Sequence, residues 1–399
     1  MRKQQEIDIM KAEDFSLVLG GPFFQLIRRI KLEGDHLELI KRRLIFFILI
    51  TWAPLLVMTF IDGKAMPGST ELPFLSHMDV YTKFLLCIPL MLVAELLVNQ
   101  RLRLVVDQFQ GRDLIPEEAT QKFNNAIRSA MRLRNSYIAE FLLVVLVYTL
   151  GIQIIFRQVT VDDVQSWFVV HSFEGPSYTL AGWWSAYLSV PVFQFLLLRW
   201  YYRLFIWFRF LFQVSRIELK LIPTHPDNVG GLGFLANTFA AFTPLAVVHG
   251  LLLAGVIADH IFHSGATLPE YRFQIAGYTI YVLALLITPQ LVFAGQLATA
   301  KRMGFRHYGN LAAKYVREFD NKWIKSSTPP KENLVGSSDI QSLADLANSY
   351  EVIKKMQLAP VTRQNIIMLA VSVLLPISPL LLTIMPLEEL ISKLIGILM

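Results

Sequence analysis

The chain is poor in cysteine, in charge and in catalytic signatures, and each shortage excludes something. Its one cysteine, Cys87, rules out an intrachain disulfide, so the loops are held by packing. Charged residues are 17% of the 399, against roughly 25% in an ordinary soluble domain. No HExxH, CxxC, Walker loop or serine elbow occurs, which leaves an enzyme without positive support. Basic residues are nearly missing from four of the eight polar segments. Only Lys64, Arg157, Arg272 and Lys393 stand there, with Lys83 at the lip of an apolar run.

What is present in their place is apolar. Hydrophobic residues make up 54% of the chain and the mean hydropathy is +0.46, more than one soluble core can absorb. Seven runs, at 44–61, 83–99, 137–156, 179–198, 234–258, 273–296 and 366–385, are close to the roughly 20 residues a helix needs to cross a bilayer. Runs of this length without strand-period alternation satisfy their backbone only as helices. The other four polar segments hold 9, 7, 5 and 11 basic residues, in alternation with the depleted ones. That is the positive-inside pattern. It predicts an all-α polytopic transmembrane bundle of seven spans, with the N-terminus cytoplasmic and the C-terminus outside. About 43 largely polar residues precede the first span, so no cleavable signal peptide is expected. Positive-inside loops account for the excess of base, so the expected surface partner is a bilayer with anionic headgroups. A homo-oligomer is compatible with this reading, nucleic acid is not expected, and no cofactor is implied.

Four regions follow. Residues 1–43 form a cytoplasmic segment whose stretch 14–32, with Phe15, Phe23, Phe24, Ile27 and Ile30 beside Arg28, Arg29 and Lys31, reads as an interfacial amphipathic helix or as a packed one. Residues 44–298 form a six-span bundle with cytoplasmic extensions. Pro116-Glu117-Glu118 starts a helix expected to run into the third span. The fourth span is expected to overrun the membrane past an aromatic belt, Trp200-Tyr201-Tyr202, with Arg203, Arg209, Arg216 and Lys220 on one side of the continuing helix. Residues 299–365 read as a helical hairpin, with stripes Tyr308, Ala312, Tyr315, Phe319, Trp323 and Ile340, Leu343, Ala347, Tyr350, Ile353. Residues 366–399 hold the seventh span and a short outer helix.

The stretch from Pro223 to Phe234, PTHPDNVGGLGF, and the later GSSDIQSLADL from Gly336 resemble stretches of bacterial polytopic membrane proteins. The resemblance implies a bacterial inner membrane and no particular activity. His225-Pro226-Asp227 also resembles the signature tripeptide of J-domain cochaperones, where it joins two soluble helices, a context absent here.

Several residues invite chemistry. Glu95 and Glu140 lie within apolar runs, one turn from the cytoplasmic end. An intramembrane carboxylate costs roughly 2.5–3.5 kcal/mol on insertion scales, so it lines a polar path or pairs with a base such as Arg101 or Arg134. His249 stands mid-span beyond Pro244, and Gln290 follows Pro289; each proline frees a carbonyl for a solute, a water or a neighbouring helix. His225, Asp227, Gly230, Gly231 and Gly233 form a loop at the inner mouth. Its glycines and the following helix start suit an anion, while a tight capped turn explains the same residues. Asp259, His260 and His263 at the outer end are weak metal candidates that need His77 or His171 to complete a set. The function expected first is conduction or transport of an ion or small solute. The alternatives are a scaffold or signalling protein using the hairpin, and a lipid-processing membrane enzyme.

Overall fold

A computed structural model describes residues 15–32, 40–151, 153, 165–172, 175–326, 332–334 and 336–384. The protein is all-α, 78% helical. The principal helices among the described residues are α1 (Pro22–Arg29), α2 (Ile40–Ile61), α3 (Met78–Gly111), α4 (Glu117–Arg134), α5 (Tyr137–Gly151), α6 (Leu180–Val214), α7 (Leu232–Ser264), α8 (Leu268–Ile324), α9 (Ser338–Lys355) and α10 (Arg363–Thr383). Six of them, α2, α3, α6, α7, α8 and α10, are long and apolar enough to cross a membrane; α4 with α5 makes a seventh only as a pair bent by 46°. A two-stranded antiparallel ribbon, β1 (Val169–Ser172) and β2 (Gly175–Tyr178), precedes α6. Residues 152 and 154–156 of the expected third span, residue 385 of the seventh and the outer helix within 386–399 lie outside the described residues.

Local chemistry sets the boundaries. Thr179, Ser136 and Thr362 each accept a main-chain N–H from the first turn of α6, α5 and α10, satisfying an amide with no partner inside the helix. The Ser136 cap corrects the expectation that α4 runs straight into the third span. Asn135 has left the helix, its side chain accepts from Gly21 N–H at 3.0 Å, and α5 restarts at Tyr137. Two further expectations fail at α6. Its helix ends at Val214, so Arg216 stands in the following turn and Lys220 in the irregular stretch beyond it, and Trp200 is buried, donating to the Met91 carbonyl at 3.3 Å rather than facing a headgroup layer.

Helix α7 is the most enclosed, with 61% of its most apolar stretch buried against 22% for α2. Gly250 makes this possible: a Cβ there would collide with the Val373 carbonyl of α10, so the two backbones approach as small residues allow in membrane bundles. Helix α8 runs through the expected domain boundary at 298/299. Pro289 converts Thr288–Phe293 to a 3₁₀ segment, after which the helix continues as the first arm of the hairpin. The second arm, α9, is tied to it by Tyr315 donating to the Asp339 carbonyl at 3.1 Å and Trp323 Nε1 donating to the Asp339 carboxylate at 2.9 Å.

The basic segments gather at one end of the bundle. Lys220 meets Asp113 at 3.0 Å, Gln357 N–H donates to Asn228 at 2.7 Å, and Lys301 Nζ donates to the Met356 carbonyl at 2.6 Å. Segments of the opposite end meet one another likewise, through Glu71 with Gln165 and His77 with Asp259.

Candidate functional site

Five charged side chains converge inside the basic end. Arg43 comes from α2, Glu95 from α3, Glu140 from α5, and Arg199 with Arg203 from one face of α6, four residues apart. Glu95 is met by all three guanidiniums: Arg43 Nη2 at 2.6 Å, Arg203 Nη2 at 2.7 Å and Arg199 Nη1 at 3.3 Å. Arg199 also reaches Glu140, Nε to Oε1, at 3.2 Å. All five residues are buried, and Arg199 and Arg203 lie over the rings of Phe23 and Trp200. Weakly hydrated, planar guanidinium suits such a place better than ammonium would.

The N-terminal segment lies across this cluster. Phe23 N–H donates to Glu140 Oε2 at 2.6 Å, Ser16 Oγ donates to Asn99 at 2.5 Å, and Arg134 donates to the Ser16 carbonyl at 2.8 Å. Phe15, Leu17, Val18 and Ile27 are buried, whereas Leu26 and Ile30 are half exposed. The partners of Glu95 therefore differ from those expected, since Arg101 is exposed and Arg134 serves the N-terminal segment. The sequence does not single out Arg43 and Arg199, and Arg203 reads there only as one of a basic row on the continuing helix, because only the fold shows that the three converge. Their one sequence signal is a position within a turn or so of a span end, at the level of Glu95 and Glu140.

His249 and Gln290 stand elsewhere. The His249 Nδ1 lies 2.7 Å from the Leu245 carbonyl, which only accepts, so Nδ1 carries the proton and Nε2 accepts from the Tyr201 hydroxyl at 2.8 Å. Gln290 is buried with neither amide atom hydrogen-bonded among the described residues. Among those residues no hydrogen bond or ion pair joins His249 or Gln290 to the charge cluster.

The glycine loop is occupied by its own aspartate. Asp227 Oδ1 accepts from Val229 N–H at 2.9 Å and Gly231 N–H at 3.1 Å, and Oδ2 accepts from Gly233 N–H at 2.8 Å. His225 Nδ1 lies 2.9 Å from Oδ1. Asn228, Gly230 and Gly231 have φ of 56°, 65° and 100°, the left-handed conformations that turn these amides inward. Burial pushes the Asp227 carboxyl up, but the three amides and His225 outweigh it and hold the group below the usual carboxylate range. An outside anion would have to displace Asp227 to reach the amides of Val229, Gly231 and Gly233. The loop also fastens neighbours, through Arg112 donating to the Gly231 carbonyl at 3.3 Å.

At the opposite end Asp259 accepts from the backbone of Met78 and Asp79 and pairs with His77 Nε2 at 3.2 Å. His263 bonds back to the Asp259 carbonyl at 3.1 Å, and His260 stacks on Tyr271. Among the described residues no three His, Cys, Asp or Glu side chains are placed to hold a metal ion, and the His171 side chain lies outside those residues. No protein-family model, curated protein or solved structure matches the chain.

Proposed function

We propose that the protein is a multi-pass protein of a bacterial inner membrane, N-terminus in the cytoplasm, that conducts or transports a small anion. The observation that carries this reading is the set of three guanidiniums around one buried carboxylate. Three guanidiniums and two carboxylates from four helices meet in one buried cluster. Buried charge is ordinarily neutralised by partners, and ionisable groups converging from several membrane helices are typical of solute pathways. Glu95, held by three arginines, occupies the place a bound anion takes, and the N-terminal segment closes the cluster over it. The orientation rests on 32 of the 37 basic residues falling in alternate segments, which also suits those segments to anionic headgroups.

The test is efflux from vesicles reconstituted with purified protein, comparing chloride, nitrate and sulfate with potassium. Anion efflux above that of protein-free vesicles, altered in rate by Glu140→Gln, is the expected result. Glu140 suits this use because it meets a single guanidinium and one amide. Vesicles as tight as protein-free ones, for wild type and variant alike, would refute the reading.

A second reading, a scaffold that binds a partner helix, is favoured by one observation. The hairpin leaves Val316 and Tyr350 exposed in a groove of about 410 Å³ between α8 and α9, and Leu311 and Ile340 exposed elsewhere on the same two helices. Ile340→Asp with Val316→Asp should abolish any partner captured by crosslinking in intact cells while leaving anion efflux unchanged.

A further inference from the structure

A second site lies on the side of the bundle, independent of the charge cluster. A cavity of about 1050 Å³ opens between the end of α6, the turn that follows it and α8, and a second of about 400 Å³ lies between α6 and α8. The two share Phe208 and Thr288, so they form one groove. Tyr201 marks its far end and the 215–223 turn its mouth. From Tyr201 to Val214 the helix rises about 20 Å at 1.5 Å per residue, comparable to one leaflet, whose acyl layer is about half of a roughly 30 Å core.

The wall and the mouth differ in chemistry. Along the wall Phe205, Phe212, Tyr281, Leu291 and Met303 are half exposed, an apolar strip that faces outward rather than into the bundle. At the mouth stand Arg216, Lys220 and His307, with Glu218 the one acid among the lining residues; Lys220 also reaches Asp113 beside the mouth, in an exposed pair that a phosphate can share or displace. The turn that presents them is fixed from α8, because Gln296 Nε2 donates to the carbonyls of Ser215 and Ile217, each at 2.6 Å. Arg216 lies over the Phe212 ring, which brings its charge to the border between wall and mouth.

We propose that this groove holds one anionic phospholipid from the leaflet at the basic end, its phosphate between Arg216 and Lys220 and an acyl chain along Phe208, Phe205 and Leu285. Charge complementarity selects this occupant over a neutral lipid, and the length of the apolar wall selects it over a free anion. A phosphate alone would use the mouth and leave the wall empty.

The experiment is native mass spectrometry of the full chain in detergent, titrated with phosphatidylglycerol and, separately, phosphatidylcholine of identical acyl chains. One tightly held phosphatidylglycerol per chain is expected, in preference to phosphatidylcholine. Neutralising Arg216 and Lys220 together to Gln should cut that preference about 25-fold, from about fivefold for each base near a membrane surface. Ala284→Trp, an exposed position in the apolar wall, should also expel the lipid while leaving the melting temperature of the protein unchanged. Equal retention of the two lipids by wild type overturns the proposal whatever the variants do. So does loss in the Gln pair with full retention in Ala284→Trp, the behaviour of a phosphate site at the mouth alone. Displacement of the lipid by millimolar inorganic phosphate would overturn it as well. None of these outcomes depends on anion efflux.

Discussion

Glu95 and Asp227 are both carboxylates removed from water at the basic end of the bundle, yet they are met differently. Glu95 is held by guanidiniums from residues 52, 104 and 108 positions away. Asp227 is held by amides two, four and six positions away. The first arrangement exists only when α2, α3 and α6 have packed. The second is complete within one loop and needs only the backbone to turn left-handed at Asn228, Gly230 and Gly231. A long-range cage of full charges concentrates energy in a few side chains, whereas an amide nest spreads it over a backbone that most substitutions leave alone.

The comparison is tested hardest at Glu95. Glu95→Gln leaves three buried guanidiniums facing a neutral amide, and removing one partner of a buried ion pair typically costs about 3–5 kcal/mol. Denaturant unfolding in detergent should show a loss of that size. Glu95→Gln combined with Arg203→Gln should lose less than the two single losses added, since the second change removes a charge the first left unpaired. A loss below about 1 kcal/mol for Glu95→Gln would mean that water reaches the cluster, and the contrast with Asp227 would collapse.

The next effect is expected at Asp227. Asp227→Ala strips the acceptors from three N–H groups in a half-buried loop, and the cost should be about 2 kcal/mol, the upper range for a lost cap and above that for a single hydrogen bond. The measurement is again unfolding in detergent. A cost as large as that at Glu95 would show the loop to be an organising centre rather than a local turn, and would fit its ties to Arg112 and Gln357.

The same contrast explains what the sequence made legible. The span pattern was readable because hydropathy is a property of neighbouring residues, and six of seven runs became single long helices. The bend at Asn135 was not, although Ser136 is an ordinary N-cap residue, because its neighbours kept helical spacing and the pull on Asn135 comes from Gly21 more than a hundred positions earlier. At the candidate site the intramembrane acids announced themselves by their cost, but their partners did not. Arg43, Arg199 and Arg203 look in sequence like any base at a span end. The groove between α6 and α8 gave no signal at all, since its wall is apolar sequence indistinguishable from lipid-facing helix.

The smallest expected effect is also the most specific to the amide nest. Because amides and His225 hold the Asp227 carboxyl below its ordinary value, the unfolded chain binds a proton at that position more readily than the folded one. The stabilisation from its ionised form is therefore fully present from about pH 5 upward, well above the unfolded value of about 3.9, and is lost as the pH falls past that value and through the lower folded one. Wild type should exceed Asp227→Asn in stability by a constant margin from neutral pH down to about pH 5. The margin should then narrow on further acidification, because wild type alone loses this contribution. Unfolding curves for the two proteins at matched pH values measure the margin directly, and the shared acid sensitivity of the remaining carboxylates cancels in the difference. A margin that stayed flat to the lowest pH at which both proteins fold would mean that Asp227 gains nothing from being charged. The three N–H groups would then need only a neutral oxygen, as in a simple capped turn.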